Sequence, residues 1–166
     1  MAEPYYWQGA VLQHAVPDEA DLYQWIREHT PATAIVIDNK PYVPVYAQRS
    51  LLVARQPDSW KVEDWWSRRD GWLFYPSVWL DLVNGHPTEE IRRRNELADS
   101  LYGKAGAQFG GDLERQLEEM TDGRAVFVIA RNARERAALE SQRFLQRVAE
   151  SAEWAVYALA KSQHKA

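Results

Sequence analysis

The stretch from Pro17 to Arg49, PDEADLYQWIREHTPATAIVIDNKPYVPVYAQR, constrains the fold more than any other part of the chain. Pro17 suits the first position of a helix, where its missing N–H goes unused. Asp18, Glu19 and Asp21 place negative charge in the first turn, where the helix dipole favours it. Leu22, Trp25, Ile26 and His29 follow the i, i+3, i+4, i+7 spacing and predict one buried stripe. Pro31 ends the helix, because the residue before a proline avoids helical angles. Ala34-Ile35-Val36-Ile37 is a short, continuous, largely β-branched run, the kind that forms a strand buried on both faces. It ends in Asp38-Asn39. Pro41 and Pro44 predict a turn, or a broken helical turn, that delivers Arg49. Such a beginning implies an α/β sheet domain.

The rest of the chain continues that pattern. Leu51-Leu52-Val53-Ala54 reads as a second strand. A Trp-rich irregular insertion occupies about 56–87. A long helix begins at Thr88, with Glu89 and Glu90 in its first turn and Ile91, Leu97, Ala98 and Leu101 as its apolar stripe. Gly103 is its C-cap. A shorter helix starts at Asp112, carries Leu113, Leu117 and Met120 on one side, and stops at Asp122-Gly123. Ala125 to Ile129 is the clearest strand. Asn132, with Glu135 three residues later, predicts a capped helix start. Phe144–Val148 and Trp154–Leu159 read as a closing strand pair, the second a sheet edge with one wet face. The expected organisation is an extended aromatic lead-in over 1–16, one α/β domain over 17–160 and a frayed tail over 161–166. The expected fold is a layered α/β domain with a small, mostly parallel, Rossmann-like sheet closed by a C-terminal antiparallel strand pair.

Composition removes several function classes. Apolar residues make up 46% of the 166, so a packed core is expected in place of disorder. Net charge is −4, which argues against a general nucleic-acid binder. The absence of cysteine excludes disulfides, thiol catalysis and zinc–thiolate sites. No run approaches the roughly 20 apolar residues that span a bilayer, and no signal peptide is expected. Histidines 14, 29, 86 and 164 are scattered without ligand spacing, so no metal is expected. No glycine-rich phosphate loop follows a strand, and no GxSxG appears, so no cofactor and no catalytic residue are assigned. Paired carboxylates such as Glu89-Glu90 and Glu118-Glu119 read as solvated helix faces. Arg92-Arg93-Arg94 reads as helix-surface charge balanced by Glu89, Glu90 and Glu96, with contact to anionic lipid head groups as the alternative if the domain sits on a membrane.

Two groups of residues remain as candidate sites. Asp38 and Asn39 leave the first strand at its carboxyl end, where open α/β sheets take ligands. Tyr42, Tyr46 and Arg49 follow, and arginine with tyrosine suits a phosphate or a sugar face. The alternative is that Asp38-Asn39 is a polar strand exit and that Arg49 pairs with Asp38 or caps carbonyls. The second group is Trp60, Trp65, Trp66, Trp72 and Trp79, a candidate interaction surface or membrane-interface anchor, with core packing as the alternative.

The order of these segments resembles the soluble C-terminal domain of multi-pass membrane glycosyltransferases of the protein-mannosyltransferase and lipid-linked sugar transferase kind. Arg27-Glu28-His29-Thr30-Pro31 is similar to the helix end of that family. The strand Ile35–Ile37 and the turn from Pro44 to Arg49 follow in the same order, with Gln48 where that pattern has glycine. IRRRNELADSLY, the glycine-led GRAVFVIA and the closing FLQRVAESAEWAVYAL complete the likeness, which covers roughly 17–160. The resemblance implies a non-catalytic accessory domain on the extracytoplasmic face of a membrane. It would position an acceptor or lipid-linked sugar, with the transmembrane portion of a parent protein or the membrane surface as partner. The alternative expectation is a free-standing cytoplasmic α/β module that binds a small ligand or docks a protein partner.

Overall fold

The computed structural model describes residues 19–40, 42–53, 88–104 and 112–160. In chain order these form α1 (Ala20–His29), β1 (Ile35–Ile37), α2 (Val43–Tyr46), β2 (Ser50–Leu51), α3 (Thr88–Leu101), α4 (Leu113–Met120), β3 (Val126–Ala130), α5 (Ala133–Glu140), β4 (Leu145–Glu150) and β5 (Ala155–Leu159). The Trp-rich insertion, the lead-in and the tail lie outside the described residues.

The strands make one sheet in the order β2-β1-β3-β5-β4. It is parallel in one half only, which corrects the expectation of a mostly parallel sheet: β1 pairs parallel with β2 and β3, and β5 pairs antiparallel with β3 and β4. The reason lies in the path of the chain after α5. After α5 the chain lays β4 one strand away from β3. The short turn at Ser151–Trp154, closed by Ser151 N–H on the Trp154 carbonyl at 2.7 Å, then sends β5 back through the gap.

Helices cover both faces. Ile35, Ile37, Val126, Val128, Ala130, Ala155, Tyr157 and Leu159 face Leu97, Ala98 and Leu101 of α3, Leu117 of α4 and Leu139 of α5. Val36, Phe127, Ile129, Val156 and Ala158 face Leu22, Tyr23 and Ile26 of α1, Val43 of α2 and Ala47 just after it. Alternate strand residues thus supply two cores, as the period-2 geometry of a strand requires. β5 was expected as an edge with one wet face; it is interior, and all five of its residues are buried. The edge on this side of the sheet is β4, which is exposed at Gln146, Arg147 and Glu150 and carries a register irregularity between Arg147 and Ala149.

The α1 stripe is also shifted. Leu22, Tyr23 and Ile26 are buried, and His29 is exposed, its ring stacked 4.9 Å from that of Trp25. The helix ends at His29, so the last position of the expected stripe lies beyond the sheet contact.

Candidate functional site

Asp38 and Arg131 are the first polar residues after β1 and β3, two adjacent parallel strands. Parallel pairing brings their carboxyl ends to the same edge of the sheet. After β1 the chain turns to α2 on one face; after β3 it turns to α5 on the other. This divergence makes a topological switch point, the crevice in which open α/β sheets take ligands.

The crevice is filled by the protein's own charges. Asp38 is fully buried. Arg131 grips it with two prongs: Nη1 donates to Oδ1, and Nη2 donates to Oδ2 at 3.0 Å. Arg131 Nε donates to Glu19 Oε1 at 2.7 Å, and Lys40 Nζ reaches the same oxygen at 2.6 Å. The Tyr23 hydroxyl donates to Glu19 Oε2 at 3.1 Å. The Lys40 amide donates to Asp38 Oδ1 at 3.0 Å. Asn39 is held differently: its Nδ2 donates to Glu135 Oε1 at 2.8 Å, and Glu135 Oε2 accepts the Arg131 amide at 2.7 Å. Above the same edge, the Tyr102 hydroxyl donates to the Ile129 carbonyl at 2.6 Å.

The two carboxylates are perturbed in opposite directions. Burial raises Asp38 above its ordinary value, and the charge and hydrogen bonds of Arg131 offset this only in part. Burial also pushes Glu19 up, but the bonds and charges of Arg131 and Lys40 together outweigh it and hold Glu19 below its ordinary value. Burial and the negative charge of Asp38 raise Tyr23, which therefore donates as a neutral phenol.

The sequence-predicted residues do not gather at one place. Tyr42 and Tyr46 pack edge to face at 6.2 Å, and Tyr46 lies 5.4 Å from Tyr23, so an aromatic run extends from the Asp38 network along α2. Arg49 is elsewhere. Ser50 is opposite Ile35 in the sheet register, so Arg49 sits at the amino end of β1. Asp38 lies four residues further along, or about 13 Å at strand rise. Each of the five N–H bonds of Arg49 has an acceptor. Nε bonds Thr30 Oγ1 at 3.0 Å. Nη1 bonds the carbonyls of Ala47 and Gln48 at 3.3 and 3.1 Å. Nη2 bonds those of Arg27 and Thr30 at 2.6 and 2.7 Å. Arg49 therefore caps the carboxyl end of α1, the second of the two alternatives for it. Trp60, Trp65, Trp66, Trp72 and Trp79 fall outside the described residues.

Sequence reasoning passed over Glu19, Tyr23, Lys40 and Arg131. A signal existed for Arg131: it leaves the clearest buried strand just as Asp38 leaves the first. Nothing in the sequence marks Glu19, which meets Arg131 across a separation of 112 residues.

Among the described residues, no group of three potential ligands could hold a metal ion, and no helix is long and apolar enough to cross a membrane. Arg92 is paired with Glu89 and Glu96, and Arg94 with Glu90. Comparison of the chain with protein-family models, with curated proteins and with solved structures finds no match.

Proposed function

We propose that this chain is a non-catalytic accessory domain of a membrane glycosyltransferase-like protein, displayed on the extracytoplasmic face. There it positions an acceptor or a lipid-linked sugar beside the membrane-embedded part. The observation that carries the reading is the backbone at Gln48. The likeness expects glycine there, and Gln48 holds φ at +54°, in the left-handed region that favours glycine. The order of elements from α1 to β5 supports it further, since helix, strand, proline turn, long helix, glycine-led strand and closing hairpin follow in the sequence that the resemblance implies. We read the parallel β2-β1-β3 half as Rossmann-like, with its switch point closed by Asp38 and Arg131. A crevice lined by four charged side chains, Asp38, Arg131, Glu19 and Lys40, suits a domain that binds and positions. We assign the sugar-stacking surface to the aromatic run of Tyr42 and Tyr46 and to the Trp-rich insertion, which lies outside the described residues.

The test is cell fractionation with an antibody raised against this domain. A band much larger than the 166-residue chain, in the membrane fraction and cleaved only by protease added from the extracytoplasmic side, is the expected result. A soluble band of the chain's own mass overturns the proposal and leaves the free-standing α/β module.

A further inference from the structure

Glu19 holds the N-cap position of α1 but does not cap it: its side chain makes no bond to the helix's own amides. The carboxylate turns instead into the switch-point crevice. Four donated bonds converge on it, from Arg131 Nε at 2.7 Å, Arg131 Nη2 at 3.4 Å, Lys40 Nζ at 2.6 Å and the Tyr23 hydroxyl at 3.1 Å. Two cations and a phenol around one oxyanion form the donor set of a phosphate or carboxylate site. Most of that set is positioned without Glu19. Arg131 is fixed by its paired bonds to the fully buried Asp38, Tyr23 by core packing, and the Lys40 backbone by Asp38 Oδ1. Asp38 neutralises one of the two positive charges, which leaves one facing the occupant. The Lys40 side chain is 30% exposed, against 12% for Glu19 and 14% for Arg131, so the site meets solvent at its lysine rim.

We propose that this is an anion site with Glu19 as its resident occupant, and that a phosphate group displaces Glu19 from Arg131 and Lys40. The exchange releases the first turn of α1 from the sheet edge, which makes the start of that helix responsive to the ligand. No covalent bond changes. A phosphate supplies at least as many acceptor oxygens as the carboxylate it replaces. Free phosphate and a lipid head group present the same chemistry. The site would operate whether or not the domain belongs to a membrane protein.

The Arg131 Nε–H resonance reads the site directly. It is followed in the wild-type chain, Glu19→Ala, Glu19→Gln and Lys40→Met, during titration with inorganic phosphate and with vesicles of phosphatidylcholine with or without phosphatidic acid. Phosphate should move the wild-type resonance at millimolar concentrations, because the tethered carboxylate competes at an effective concentration of about that order. Glu19→Ala should respond at about tenfold lower phosphate, by the same competition, and Lys40→Met should weaken the response. Response to inorganic phosphate assigns a soluble ligand; response only to phosphatidic acid vesicles, lost in Lys40→Met, assigns a head group. A folded Glu19→Ala protein that is silent to both sources overturns the site. A responsive Glu19→Ala protein beside a silent wild type also overturns it, since Glu19 is then never displaced. Should Glu19→Ala fail to fold, Glu19→Gln keeps the side-chain volume without the charge and serves the same comparison.

Discussion

Arg49 and Gln48 show how one side chain and one backbone angle share a task. Arg49 stitches the end of α1 to the end of α2 by donating to carbonyls of both from a single fork. To aim the fork, the preceding peptide must turn, and Gln48 takes φ +54°. An L-residue pays about 1–2 kcal/mol for that region, and glycine avoids the clash of Cβ with the following carbonyl. Gln48→Gly should therefore stabilise the protein by about 0.5–1 kcal/mol, after the greater unfolded-state freedom of glycine is subtracted. Urea unfolding of the two proteins checks this, and a loss of stability would show that the Gln48 side chain contributes more than its backbone costs. The sequence showed that Arg49 was special, since a proline turn delivers it. The choice between ligand and carbonyl could not be read there, because the carbonyls it caps belong to a helix that ends some twenty residues earlier.

At the scale of elements, local signals were the most legible. The expected cap at Asn132 is present, its Oδ1 accepting the Glu135 amide at 2.9 Å, and at Asp112, expected as the start of a helix, Oδ1 accepts the amides of Glu114 and Arg115 at 3.1 and 3.3 Å. Gly103 takes φ +61° just past α3, as a glycine C-cap does. These bonds join residues two to three apart, so the pattern survives in the sequence. Asp112→Ala should cost about 1 kcal/mol, and Asp112→Asn should recover most of it; thermal unfolding of both variants distinguishes a lost cap from a lost charge. The misjudged elements failed for the opposite reason. Whether β5 is an edge or an interior strand depends on β4 lying one strand away from β3. Its alternation of Trp154 and Val156 with Ala155 and Tyr157 fits either case.

Across the whole molecule, the Asp38–Arg131–Glu19–Lys40 network joins three distant segments at one sheet edge, and it carries a pH signature. Glu19 titrates below its ordinary value of 4.5 in the folded protein. The unfolded chain then binds more protons than the native one, so this contribution is full above about that value and is lost as pH falls through the folded value. Asp38 is raised above its ordinary value of 3.8, so its contribution has the opposite sign: it is greatest below that value and declines as pH rises toward the folded value. The two oppose one another in mildly acidic solution. Removing the Glu19 charge isolates one of them. Glu19→Gln should cost about 1–3 kcal/mol at neutral pH, the range for unmaking bonds to a charged group. The gap to wild type should narrow as pH falls below about 4.5, in urea unfolding across a pH series. A gap that stays constant would mean that Glu19 contributes through packing and not through charge.

The sequence by itself determined the layered α/β class, most element positions and their caps, and the polar exit of β1 at Asp38-Asn39. Each rests on interactions within a few residues, or on the periodicity with which a helix or strand presents a face. Only the tertiary structure decided the order of the strands, the burial of β5, the capping role of Arg49 and the meeting of Glu19 with Arg131. Those depend on which carboxyl ends share a sheet edge and which helices lie on which face. That information belongs to the pairing of distant strands, and no local pattern encodes it.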